Sequence, residues 1–162
     1  IWTQPNASFA GEFYDFHDVA AYPQPVQQPH PPIWVGGLTK PVMRRAARVA
    51  DMWLPPLFGT TPESLAASFA HVRDMAEQAG RAREAVGLAL RVLVDLREDP
   101  DATGPDTRGA VLGPAAHVAQ VLASYVEAGV SHFVLLPQAR TLDDVQRTVQ
   151  ILAEQVIPQL RN

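Results

Sequence analysis

The chain has 162 residues, the size of one ordinary domain, and 47% of them are hydrophobic, enough to bury a core. Its formal net charge of -4, with arginines and acids interspersed, offers no basic stripe for nucleic acid or an anionic membrane, which sets both aside as partners. The absence of cysteine rules out disulfides, thiolate zinc sites and cysteine nucleophiles.

No apolar run approaches the length that crosses a bilayer, and the opening IWTQPNASF has neither the charged nor the apolar region of a signal peptide. The expected compartment is the cytoplasm. The chain starts at Ile1 rather than Met, and its first thirty residues read as the middle of a longer protein, so a fragment is expected.

Residues 1–32 hold a dense share of the prolines, from Pro5 to Pro32, which bars a long helix there. Within them FAGEFYDF alternates aromatic residues around Gly11 and predicts a short hairpin, followed by the extended segment YPQPVQQPHPP. Residues 33–162 form the second part, in which a strand and a helix alternate four times. The first apolar run, residues 33–35, meets Gly36 and Gly37, and Pro41 then opens a helix with Val42, Ala46 and Val49 at helical spacing. Met52–Leu54 is a strand stopped by Pro55 and Pro56; Thr61, Pro62 and Glu63 start a helix with Leu65, Phe69, Val72 and Ala76 on one face and Gly80 after it. LALRVLVDL, residues 88–96, is a third strand, followed by a polar loop and a helix over 114–127 that ends at Gly129. HFVLL, residues 132–136, leads through Pro137 to Thr141, a cap for a helix carrying Val145, Val149, Leu152 and Val156.

Apolar strands alternating with amphipathic helices predict an α/β fold with a parallel sheet covered by helices. A doubly wound sheet closes with four or five strands, whereas a (β/α)8 barrel needs eight strands and roughly 250 residues. The missing Met and the proline-rich opening favour the second, with four β/α units as its carboxyl-terminal half.

A strand that ends in glycines and runs directly into a helix brings unpaired N–H groups and a positive helix end to one point, a place for an anion such as phosphate. Glycine there lets the ligand approach the backbone, and Thr39 and Lys40 add a hydroxyl and a charge. The alternative is a tight turn that only lets the helix pack on the sheet. The pair is neither a Rossmann fingerprint nor a P-loop. Arg44, Arg45 and Arg48 read as the solvated side of the helix.

Residues 9–55, from FAGEFYDF through IWVGGLTKPVMRRAARVADMWLP, resemble the second-half signature of the bacterial luciferase-like flavin and deazaflavin oxidoreductases, and more narrowly the branch that uses coenzyme F420. AGVSHFVLLPQ and the closing LAEQVIPQL agree with that family in order and spacing. The resemblance implies a TIM-type barrel of which this chain supplies strands five to eight, with the phosphate of the cofactor tail held by Gly36, Gly37, Leu38 and Thr39. Met52 departs from the family's pattern, where glycine is usual in ADGW. The barrel rule alone would put phosphate near Gly113 or Gln138 instead.

In that family the cofactor carries the redox chemistry and the protein supplies a wall, hydrogen bonds and a pocket, largely from the first four strands. Catalytic residues are therefore not assigned. Asp95 and Gln138 stand at carboxyl ends of strands; Asp95 opens the acidic loop DLREDPDATGPD and reads as a solvated carboxylate. His17, His30, His71, His117 and His132 are scattered, so no metal site is expected, and no GxSxG elbow supports hydrolysis. The resemblance implies an oxidoreductase that transfers hydride between F420 and a small organic substrate. The alternatives are an FMN-dependent luciferase-like monooxygenase and a non-catalytic half-barrel that serves as an association module. Half a barrel leaves two strand edges unpaired, so a homo-oligomer or a complementary half-barrel is expected as partner.

Overall fold

The computed structural model describes residues 1–99, 101, 103–105 and 109–160. It divides into two units, Ile1–Ile33 and Trp34–Asn162. In the first, the residues around Gly11 close into an antiparallel hairpin of β1 (Ala7–Ala10) and β2 (Asp15–Val19). The Gly11 N–H donates to the Tyr14 carbonyl, and Phe9 lies opposite Phe16 with ring centroids 6.0 Å apart. Residues 20–33, rich in proline, form neither helix nor strand.

The second unit runs β3 (Trp34–Gly36), α1 (Lys40–Val49), β4 (Met52–Leu54), α2 (Pro62–Gln78), β5 (Gly87–Leu96), β6 (Gly104–Pro105), β7 (Val111–Gly113), α3 (Ala115–Glu127), β8 (His132–Pro137) and α4 (Leu142–Ile151). β3, β4, β5 and β8 lie side by side in parallel and in chain order, each followed by one of the four helices. This is the repeating unit of a barrel, four times over.

The sheet is curved. In a flat sheet the outer strands β3 and β8 would stand about 14 Å apart at ~4.8 Å per strand, yet Trp34 on β3 and His132 on β8 meet edge to face with ring centroids 5.7 Å apart. Both belong to the concave side. The period of two along β5 separates the sides: Leu88, Leu90, Val92 and Val94 are buried in the core under the helices, while Ala89, Arg91, Leu93 and Asp95 belong to the other face. Trp53, Val72, Leu65 and Leu122 fill the same helix-side core.

The helices follow their local signals. Thr61 caps α2 through a capping box, its hydroxyl accepting from the Ser64 N–H and its own N–H donating to the Ser64 hydroxyl. Thr141 accepts from the Asp144 N–H at the start of α4. On α1 the expected stripe is displaced: Met43, Ala46, Ala47 and Ala50 are buried and Val49 is exposed, because the small alanines admit close packing. The end of α1 is closed by Arg81, whose guanidinium donates to the carbonyls of Ala47 and Ala50 at 2.8 Å each.

Two further expectations change. The stretch after β5 is not simply a polar loop: β7 runs parallel to residues 94–96, and β6 pairs with β7 antiparallel. β6 is a Gly-Pro pair with no strand signature, and β7 is a three-residue run set between glycines that reads as part of the loop. Of the acidic loop over 95–106, Pro100, Ala102 and Asp106 lie outside the described residues. The last helix leaves α-geometry at Leu152, passing through a π turn to Val156 and a 3-10 turn to Leu160; Leu152 and Val156 are buried, while Val149 is exposed.

Candidate functional site

β3 ends at Gly36, and the chain turns through Gly37, Leu38 and Thr39 into α1. Gly37 has φ +126°, a conformation strained for any side chain, and a Cβ there would press on Val42 Cγ1 at 3.3 Å. Gly36 serves differently. A Cβ on it would meet only the Leu54 carbonyl, at 3.4 Å, so its missing side chain leaves the inner wall bare rather than relieving strain.

Both polar groups of Gly37 are engaged. Its N–H donates to the Leu54 carbonyl at 3.2 Å, and its carbonyl accepts from Trp53 Nε1 at 2.8 Å. Trp53 is fully buried, so the turn is tied directly to the core. The N–H groups of Leu38, Thr39 and Lys40 donate to no group among the described residues. Thr39 is the N-cap of α1 yet its hydroxyl makes no capping bond, and the first turn of α1 carries no acid. Backbone donors, a free hydroxyl and the Lys40 ammonium at the positive end of a helix form a donor set suited to an oxyanion.

Register carries this level across the sheet. Gly36 pairs with Leu54, Met52 pairs with Gly87, and Pro56 bridges Arg91. Arg91 therefore stands one inward-facing step beyond the rung on which β3 and β4 end. It is exposed, and its guanidinium has no partner among the described residues. Further along β5, Asp95 is not the solvated loop carboxylate expected: its side chain is only 13% exposed and pairs with Arg97 at 2.7 Å. That hydrogen bond, and then the charge behind it, raises the Arg97 guanidinium further above its ordinary range. Gln138 follows β8, its N–H bonded to the Val94 carbonyl. Asp95, Arg97, Gln138, Arg140 and Arg147 line a groove of about 820 Å³ beside the start of α3.

The remaining candidates lie elsewhere. Arg44, Arg45 and Arg48 line an outer groove between α1 and α2, with Met75 on its other side, away from the carboxyl ends of the strands. His132 accepts or donates at Nδ1 with the Ser131 hydroxyl and packs against Trp34 at the base of the concave face. Among the described residues no three His, Asp or Glu side chains gather as metal ligands, and no helix is long and apolar enough to cross a membrane. Neither Arg91 nor Trp53 stands out in the sequence. Both sit in runs that read simply as strand; only the register shows that Arg91 faces inward and that Trp53 reaches the glycine turn.

The family model for luciferase-like monooxygenase matches residues 1–104. An FMNH(2)-dependent dimethylsulfone monooxygenase of Pseudomonas putida is 36% identical over 98 residues, covering 60% of this chain and 26% of its own. An uncharacterized protein of Mycobacterium tuberculosis is 31% identical over 156 residues, 94% of this chain and 45% of its own. In three dimensions, an F420-dependent secondary alcohol dehydrogenase in complex with an F420-acetone adduct superposes with a TM-score of 0.78 at 16% identity, covering 99% of this chain and 58% of that one. This chain thus spans less than half of these curated relatives and a little over half of that solved structure. The shared fold makes the four β/α units half of a TIM-type barrel. With a family model matching well over half its length, the chain belongs to the luciferase-like monooxygenase family.

Proposed function

We propose that the chain is the phosphate-binding half of a luciferase-like oxidoreductase that transfers hydride between coenzyme F420 and a small organic substrate. One observation carries the reading: the turn from β3 into α1 presents N–H groups with no partner among the described residues, an uncapped hydroxyl and a lysine, with no acid in the first turn, at the carboxyl end of a barrel strand. The N–H groups of Leu38 and Thr39 and the Thr39 hydroxyl donate to phosphate oxygens, and Lys40 balances their charge. Gly36 keeps the approach clear. Gly37 spends its own N–H on Leu54 and acts by holding the turn in shape. The bound coenzyme supplies the redox chemistry itself, exchanging two electrons and a proton with a substrate carbon. Leu54, Leu93, Val134 and Leu136, on the inward face by register, give an apolar wall that keeps water from the reacting partners.

A second reading uses FMN with oxygen, as a monooxygenase. It is supported by the 36% identity to an enzyme named as FMNH(2)-dependent. Both tails end in or contain phosphate, so the turn serves either. The test is a fluorescence titration of the chain with oxidised F420 and, in parallel, FMN, repeated with Gly36→Asp, which has room for its Cβ and places negative charge on the approach. The expected result is saturable binding of one cofactor that falls at least about tenfold in the variant, roughly 1.4 kcal/mol. Binding of neither by the folded chain, or equal binding by the variant, would overturn the assignment of the turn.

A further inference from the structure

We infer that Arg91 receives a second negatively charged group within the same site, some distance from the phosphate turn. The inference rests on the reading of that turn as a phosphate site and extends it to what the rest of the ligand carries. Arg91 shares a rung with Pro56, one inward step beyond the rung of Gly36 and Leu54, so it stands at the level where β3 and β4 end and the glycine turn begins. Two strand spacings separate β3 from β5, which puts the Arg91 backbone about 10 Å across the sheet from the turn.

The surroundings make the residue conspicuous. Its inward-facing neighbours are Ala89 and Leu93 along β5 and Val134 beside it on β8, none able to accept a hydrogen bond through its side chain. The nearest inward carboxylate on the strand, Asp95, is already paired with Arg97. A permanently charged fork with five donors, standing on an apolar wall and left without a partner among the described residues, calls for a planar, delocalised anion. Two sources have that chemistry: the pyrimidine edge of the reduced cofactor ring, which carries negative charge, and a carboxylate on the substrate.

The experiment uses the 162-residue chain as wild type, Arg91→Met and Arg91→Lys, with circular dichroism as the check on folding. In the first arm, dissociation constants for FMN and F420 are measured in the oxidised and in the chemically reduced form. In the second, benzoate binding to the cofactor-loaded chain is measured by calorimetry against the neutral benzamide. If the ring is the source, Arg91→Met weakens the reduced form at least fivefold and the oxidised form less than twofold, and Lys restores part of the difference. If the substrate is the source, benzoate binding is lost in Met while both cofactor forms are unaffected. Equal effects of Met on the two redox forms together with unchanged benzoate binding would overturn the inference while leaving the phosphate turn standing. Failure of the wild type to bind either cofactor removes the phosphate reading first, and this one with it.

Discussion

Trp53→Phe isolates the link between the core and the glycine turn. The substitution keeps an aromatic ring in the core but deletes the indole N–H that donates to the Gly37 carbonyl at 2.8 Å. Losing one hydrogen bond and leaving a half-buried carbonyl without it costs about 1–2 kcal/mol. Indole exceeds phenyl by roughly 40 Å³; left empty at a fully buried position, that volume adds about 1 kcal/mol at ~24 cal/mol per Å³. The expected destabilisation is therefore about 2–3 kcal/mol, read as a lower urea midpoint with unchanged slope in far-UV circular dichroism. The same variant also frees the carbonyl that fixes the turn, so cofactor affinity falls under conditions where the protein is fully folded. A midpoint shift worth less than ~0.5 kcal/mol would refute the claim that this bond anchors the turn.

The two glycines separate by role. Gly37→Ala, at φ +126° and against Val42, is expected to cost about 1–3 kcal/mol in the same denaturation assay. Gly36→Ala, whose Cβ would only touch the Leu54 carbonyl at 3.4 Å, is expected to change stability by less than about 0.5 kcal/mol yet weaken cofactor binding, and the reverse pattern would contradict the division. Burial holds the Tyr125 phenol above its ordinary range, and its hydroxyl donates to the Thr60 carbonyl at 2.8 Å. A raised folded-state value means this contribution is complete below pH ~10, where the unfolded phenol begins to ionise, and is lost as pH rises through the folded value. Tyr125→Phe should cost about 1 kcal/mol at pH 7 and flatten the fall in stability above pH ~10; an unchanged alkaline profile would count against it.

Strand and helix order was legible because each element carries its own signal. Pro41, Pro62 and Thr141 mark helix starts, the branched run at 88–96 marks a strand, and Gly36–Gly37 marks the turn between them. What escaped depends on register or on distant partners. Arg91 reads as one polar residue inside an apolar run until β4 and β8 are laid beside it. Arg81 follows a helix and gives no local hint that it will close the end of another one 31 residues earlier. The stripe on α1 is not legible because alanine and valine look alike to a hydrophobic pattern, whereas packing depth distinguishes them: Ala46 is buried and Val49 is half exposed. Asp95 misleads for a similar reason, since the acidic run that follows it belongs to a different environment from the end of the strand.

Met52 and Gly87 face each other in register, and the methionine sulfur occupies the room that a side chain at position 87 would need. The two residues therefore share one allotment of space at the foot of the inner wall. Met52→Gly alone empties it, and any larger residue at 87 alone overfills it. A graft that takes β4 from a relative with glycine at this place must bring that relative's β5 as well, because neighbouring strands here are interchangeable only as a matched pair.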